Sequence, residues 1–323
     1  MPLPDTVSAL VADDLNTVDD IIRERLRSEV PLIRQVAQYI VSGGGKRLRP
    51  ILLLLAAGAS GYRGKLHLEL AAVIEIIHTA TLLHDDVVDE SDLRRGRQTA
   101  NALFGNAASV LVGDFLHSRS FQMMVDAGNP KGMRVLADAT SLIAEGEVLQ
   151  LAHCHDANVD EERYLQVIRY KTAKLFEAAA RLGGILGDDD GSAEAALGEY
   201  GTHLGTAFQI VDDVLDYSGD EEQIGKQVGD DLAEGKPTLP LIHVLRHGTP
   251  EQAVVVRQAI ESGGRALFPE VLAAVRSSGA LQHALDLAEH ESLAARNAIV
   301  CLADTKYKKA LLELTVFAAQ RNN

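Results

Sequence analysis

Tryptophan is missing from this chain and aromatic residues are only 4% of it, so there is little from which to build an aromatic cage around a cation. Cys154 and Cys301 are the only cysteines, and neither belongs to a metal-spaced cluster. Two thiols in 323 residues exclude a disulfide framework or thiolate zinc site and fit a reducing compartment. Basic residues are also in deficit. With 31 Lys and Arg against 46 Asp and Glu, the net charge of -15 excludes a nucleic-acid binder, which needs a basic surface to displace counterions from phosphates. Any anionic ligand must therefore be met locally. The longest apolar run, "PILLLLAAGA", is too short to cross a bilayer, and the first residues carry acids where a signal peptide would carry positive charge. The expectation is a cytoplasmic protein.

Period-2 strand patterns and a Pro- or Ser-rich linker are lacking too. What remains is a series of Ala-, Leu-, Ile- and Val-rich stretches with helical periodicity, among them 50–60, 66–90, 101–127, 131–153, 161–187, 192–217 and 237–247. Short separators such as "SGGGKR", "GNP", "GDDDGS" and "HGTPEQ" divide them, the last offering Thr249 as a helix N-cap ahead of Pro250. These patterns predict an all-α bundle formed by residues 1–323 as a single domain. One interval breaks the rhythm: residues 218–237 are polar and glycine-rich, which predicts a functional lid.

Chemistry concentrates in "TLLHDDVVDESDLRRGRQ", residues 81–98, where five carboxylates precede three arginines. Asp85 and Asp89 share a helix face, and like charges so placed destabilise a helix by about 0.2–0.5 kcal/mol unless a cation compensates. The pattern recurs. "HTATLLHDDVVD" (78–89) and "GTAFQIVDDVLD" (205–216) agree at six of twelve positions, so each of two long apolar helices ends in an acidic triplet. If Asp85, Asp86 and Asp89 face Asp212, Asp213 and Asp216, six carboxylates line one cavity mouth. Hard oxygen donors without imidazole or thiolate favour Mg²⁺, which prefers a few carboxylates plus phosphate oxygens, and a diphosphate is the implied ligand. In "SGGGKRLRP" glycines 43–45 permit unusual backbone angles, and Pro50 suits a first helical turn. Lys46 and Arg49 then stand at the positive end of a helix dipole, an arrangement that a second phosphate group would relieve.

These residues resemble the trans-type isoprenyl diphosphate synthases, whose two aspartate-rich motifs, Gly-Gly-Lys-x-x-Arg and Arg-Arg-Gly match 85–89, 212–216, 44–49 and 94–96. "YKTAKLFEAA" and "GKQVGDDLAEGKPTLPL" look most like the bacterial octaprenyl-type members, which make quinone side chains. The resemblance implies a helical bundle of the isoprenoid synthase type around a central apolar cavity. It implies Mg²⁺, three ions per site, on Asp85, Asp86, Asp89, Asp212 and Asp216, with Asp213 close by. It implies isopentenyl diphosphate on Lys46, Arg49, His78 and Arg95, and an allylic diphosphate on Arg94, Lys171, Gln209, Lys226 and Lys236, with Thr172 beside the reacting carbons. A homodimer is implied, and transient membrane contact during release of a long lipid product. Thr81 and Ala80, one turn below Asp85, are small where a bulky aromatic stops chain growth in the family, and Phe121, Met123 and Met124 are candidate floors of the product tunnel. Two rivals are a terpene cyclase, disfavoured by the scarce aromatics and the Lys46/Arg49 site, and a regulatory subunit, disfavoured by two intact aspartate motifs.

Overall fold

A computed structural model describes residues 3–187, 191–218 and 229–320. The helices are α1 (Asp5–Arg25), α2 (Pro31–Ser42), α3 (Leu48–Ala59), α4 (Leu66–Val88), α5 (Ala100–Phe104), α6 (Asn106–Asp126), α7 (Pro130–His153), α8 (Glu161–Ile168), α9 (Lys174–Gly187) and α10 (Ser192–Ser218). After them come α11 (Asp230–Ala233), α12 (Leu239–His247), α13 (Pro250–Ser262), α14 (Phe268–Ser277), α15 (Ala280–Ala298) and α16 (Lys306–Gln320). The all-α expectation holds. Its one exception among the described residues is a two-stranded ribbon, β1 (Leu93–Arg94) and β2 (Arg97–Gln98), closed by Arg95 and Gly96, both at positive φ as a tight type I′ hairpin requires.

Helix α4 is the central pillar. Its apolar side chains from Leu70 to Leu83 are buried, except Leu82 on the cavity wall, and it packs on α1, α3, α6 and α9. Leu66–Val88 is long and apolar enough to cross a membrane, yet 61% of that span is buried inside the protein, where it forms core. Helices α3, α9 and α10 stack alongside. At Gly183 of α9 a β-carbon would come within 2.4 Å of the Ala56 side chain and 2.6 Å of the Ala57 nitrogen, so glycine permits this approach to α3. One apolar cluster extends from Val7 to Ala318, and a second, built on Tyr217, Leu241, Val256 and Val271, lies beyond the ends of α10 and α11.

Two expected helices are broken, each at a place that matters. The 101–127 stretch divides at Gly105, whose φ of 86° interrupts the helical hydrogen-bond ladder between α5 and α6. The 161–187 stretch is interrupted by a π-helical turn, Arg169–Ala173, between α8 and α9. Such turns swing the register of their side chains and recur at functional sites. Thr249 caps α13 as expected, its hydroxyl accepting from the Gln252 backbone while the Gln252 side chain accepts from the Thr249 N–H.

Candidate active site

The C-terminal ends of α4 and α10 face one another across a cavity of about 830 Å³. Asp85 and Asp89 line it from one side and Asp212, Asp213 and Asp216 from the other, so the two acidic patterns meet. Their members differ in surroundings. Asp86 is fully buried and absent from this wall; its Oδ1 accepts from Arg94 Nε at 2.8 Å and Nη2 at 2.7 Å. Asp86 thus fixes Arg94, and the hairpin that carries it, against α4. Asp89 pairs with Lys236 Nζ at 3.1 Å. The Asp216 carboxylate accepts from the backbone N–H groups of Gly229 at 3.1 Å and Asp231 at 3.3 Å, gripping the start of α11 where the chain returns after residue 228.

Asp213 is buried and heads a chain of contacts. Tyr164 donates its hydroxyl to Asp213 Oδ2 at 2.7 Å, Gln209 donates to Oδ1 at 2.7 Å, and Thr172 donates to the Gln209 carbonyl oxygen at 3.0 Å. Burial, reinforced by Asp231, pushes the Asp213 carboxyl up to about 8, even though both hydrogen bonds favour its ionised form. Thr172 and Lys171 project from the π-turn. Lys171 Nζ reaches Glu147 Oε2 at 2.6 Å and Gln150 Oε1 at 2.8 Å. Burial pulls the Lys171 ammonium down, but Asp85 and Glu147 outweigh it and raise the pKa. Burial pushes the Glu147 carboxyl up to about 7, with Asp85 adding to the rise and Lys171 opposing it. Lys236 behaves like Lys171: burial opposes, Asp89 and Glu234 prevail, and its pKa is raised.

The same cavity is also lined by basic residues. Gly44 and Gly45, at φ 70° and 148°, turn the chain into α3 through Arg47, itself left-handed at φ 49°. Arg49 on the first turn of α3 is half-buried, lies over the Phe176 ring at 4.5 Å, and donates through Nη1 to His78 Nε2 at 3.2 Å, which assigns the His78 proton to Nδ1. Arg49 Nε has no acceptor among the described residues. Burial lowers the Arg49 pKa to about 10. His78 is held well below its ordinary value, by burial and then by Arg49, Arg94, Arg95 and Arg47, which keeps it neutral. Arg95 is pushed down by burial and by Arg94, and donates to the Gly44 carbonyl. Lys46 lies over the Phe317 ring at 5.3 Å. Cations that suppress one another's charge beside an unused buried donor form a pocket suited to an anion.

Lys226 lies outside the described residues. Thr81 lines the cavity, whereas Ala80 is buried behind it in the core. Met123 and Met124 are likewise core residues, and Phe121 is an exposed side chain against His117, so the α6 trio takes no part in the cavity wall. The wall below the carboxylates is instead Ile143, Val167, Ile168, Leu175 and Phe208. Sequence reasoning passed over Glu147, Gln150, Tyr164 and Glu75, the last a buried carboxylate held by Arg47. Glu147 and Gln150 had one visible signal: polar residues three apart in the otherwise apolar "EVLQLA" stretch of a helix.

Among the described residues no three acidic, histidine or cysteine groups gather closely enough to cage an ion unaided. The donors stand instead on two facing helices, as suits a cation that keeps water and takes substrate phosphate oxygens as its remaining ligands. The Polyprenyl synthetase family profile matches residues 30–274. The chain belongs to that family. It is 55% identical over 317 residues to the octaprenyl diphosphate synthase of Escherichia coli (strain K12), covering 98% of each chain. It is 46% identical to an all-trans-nonaprenyl-diphosphate synthase (geranyl-diphosphate specific) of Rhodobacter capsulatus, covering 98% of this chain and 97% of that one. Among solved structures, a polyprenyl synthase from Caulobacter crescentus CB15, complexed with calcium and isoprenyl diphosphate, superposes with a TM-score of 0.96 at 42% identity, covering 99% of this chain and 98% of that chain. The polyprenyl synthetase family thus accounts for an acidic and a basic pocket opening on one cavity.

Proposed function

We propose that residues 1–323 act as one domain and a long-chain trans-polyprenyl diphosphate synthase, adding isopentenyl diphosphate repeatedly to an allylic diphosphate such as farnesyl diphosphate. The product is of octaprenyl or nonaprenyl type and serves as a quinone side chain. The observation that carries this reading is the opening of two unlike anion pockets, one acidic and one basic, on a single cavity with an apolar floor. An acidic pocket binds a diphosphate only with divalent cations, and a basic one binds it directly. Two diphosphate substrates are therefore accommodated side by side.

Asp85, Asp89, Asp212 and Asp216 would hold Mg²⁺, with Asp86 and Asp213 behind them. When bound, the cations draw electron density from the allylic diphosphate as it departs. The protein's residues do the rest. Lys171, Lys236 and Arg94 neutralise charge gathering on the leaving diphosphate, which stabilises the transition state electrostatically. Lys46, Arg49 and Arg95 hold isopentenyl diphosphate by its phosphates, with neutral His78 steadying Arg49, and so bring its double bond to the allylic carbon. Thr172 and Gln209, anchored on Asp213, fix the wall beside the reacting carbons. The apolar floor accepts the growing chain and excludes water that would quench the carbocation.

The homodimer finds support in the apolar residues left exposed on α6 and α7, notably Leu111, Val125, Val148 and Leu151, each more than 60% exposed. Incubation of purified protein with labelled isopentenyl diphosphate, farnesyl diphosphate and Mg²⁺, followed by chromatography of the dephosphorylated product, tests the reading. A ladder ending at a long linear prenol supports it. A cyclic hydrocarbon would favour a terpene cyclase, and no incorporation a regulatory subunit.

A further inference from the structure

Among the described residues, Glu147 is the one acidic group on the cavity wall that belongs to neither aspartate pattern nor to the 229–237 return segment nor to the arginine cluster around Glu75. It lies on α7, a different helix from the two that carry the aspartate patterns. Gln150 follows one turn later on the same face, and both side chains converge on one atom, Lys171 Nζ, at 2.6 and 2.8 Å. The backbone underneath is closely matched. Gly146, beside Glu147, packs against the π-turn so tightly that a β-carbon there would lie 2.7 Å from the Lys171 nitrogen and 2.8 Å from the Tyr170 β-carbon. The glycine, the carboxylate and the amide thus bring α7 onto the π-turn at the residue that presents the ammonium.

We infer that Glu147, with Gln150, is a positioning residue for Lys171: it holds the ammonium at the cavity wall, aimed toward the carboxylate end, and thereby sets the affinity for the allylic diphosphate. The inference rests on the function proposed above. An unrestrained lysine has four rotatable bonds to order when its ligand arrives, and two acceptors at hydrogen-bond distance meet that cost in advance. Burial and the nearby Asp85 raise the Glu147 pKa, and the Lys171 ammonium opposes them. The groups around it are Lys171 and Gln150 in contact, with Asp85 and Asp89 within electrostatic reach.

Steady-state kinetics of Glu147→Ala, Glu147→Gln and Lys171→Ala, with each substrate varied in turn, test this. Removing one charge-assisted hydrogen bond to a positioned ammonium predicts a rise of about tenfold in KM for farnesyl diphosphate in Glu147→Ala. KM for isopentenyl diphosphate should stay within about twofold, because the ion pair and hydrogen bond at Lys171 run to Glu147 and Gln150 and not to Lys46, Arg49, His78 or Arg95. Glu147→Gln keeps an acceptor for Lys171 and should recover most of the loss, which a purely structural role would not require. If Lys171→Ala raises the allylic KM while both Glu147 variants leave it unchanged, the inference is overturned and the function stands. Equal rises for both substrates in Glu147→Ala overturn it as well. If Lys171→Ala alters neither KM, the assignment of the allylic site to Lys171 fails, and the inference with it.

Discussion

Replacing Tyr164 with phenylalanine removes a single oxygen and isolates the role of the buried Asp213. The Tyr164 hydroxyl donates to Asp213 Oδ2 at 2.7 Å, and both groups are more than 90% buried. Leaving a buried carboxyl oxygen unsatisfied costs about 1–3 kcal/mol. Unfolding entropy near 2.1 cal/mol/K per residue gives roughly 0.7 kcal/mol/K for a 323-residue chain, so the melting temperature should fall by about 2–4 °C. Tyr200 is the control: it is equally buried, but donates at 2.6 Å to the neutral Leu311 carbonyl, far from the cavity. Tyr200→Phe should cost about 1 kcal/mol and leave turnover unchanged. Tyr164→Phe should lower turnover as well, because Gln209 and Thr172 are aligned through Asp213. Calorimetry and steady-state kinetics on the two variants decide the matter. Equal losses of stability, with equal activities, would refute the reasoning.

The metal-free protein should lose stability as pH rises from about 6 to 8.5. Asp213, raised to about 8, and Glu147, raised to about 7, keep protons in the folded chain that an unfolded carboxyl releases near pH 4. Their contribution is complete below the unfolded value and is lost as pH climbs through 7 and 8. Thermal melts in EDTA would show it, and a melting temperature that climbs over this range would contradict it. Thr81→Phe places a ring one turn, about 5.4 Å, below Asp85 on the cavity wall and should shorten the prenol product. Ala80→Phe instead overpacks the core by about 1–3 kcal/mol, so melting temperature should separate the two; normal product length from Thr81→Phe would remove Thr81 from the growth path. The proposed homodimer predicts that Leu111→Asp with Val125→Asp sediments as a monomer while the unaltered chain sediments as a dimer, and equal sedimentation coefficients would contradict an interface on this face.

Periodicity revealed the helices because most of them bury one continuous apolar face, and α4 and α10 could be read almost to their ends. The acidic triplets could be located because their spacing repeats on two helices. Their division of labour could not be read. Asp85 and Asp86 are neighbours in sequence, but on a helix they point about 100° apart, so one faces the cavity and the other meets Arg94. The π-turn was hidden for a related reason: "RYKTA" has an unremarkable helical pattern, and the distortion arises from packing against Gly146 of another helix. Glu147 and Tyr164 were missed because each looks like a solitary polar residue until the fold supplies Lys171 or Asp213 as its partner. The hairpin at 93–98 is too short to show alternation, although its Arg95–Gly96 turn carries the positive φ angles that such a connection needs.

The central claim is that two diphosphate sites share one cavity, one depending on divalent cations and the other built from cationic side chains. Calorimetric titration of the protein with isopentenyl diphosphate and, separately, with farnesyl diphosphate, each in EDTA and in Mg²⁺, tests it most directly. The account predicts that isopentenyl diphosphate binds in both buffers and loses affinity in Arg49→Ala, while farnesyl diphosphate binds tightly only with Mg²⁺ and loses that binding in Asp85→Ala. Tight binding of both ligands without the cation, or indifference of isopentenyl diphosphate to Arg49, would contradict it.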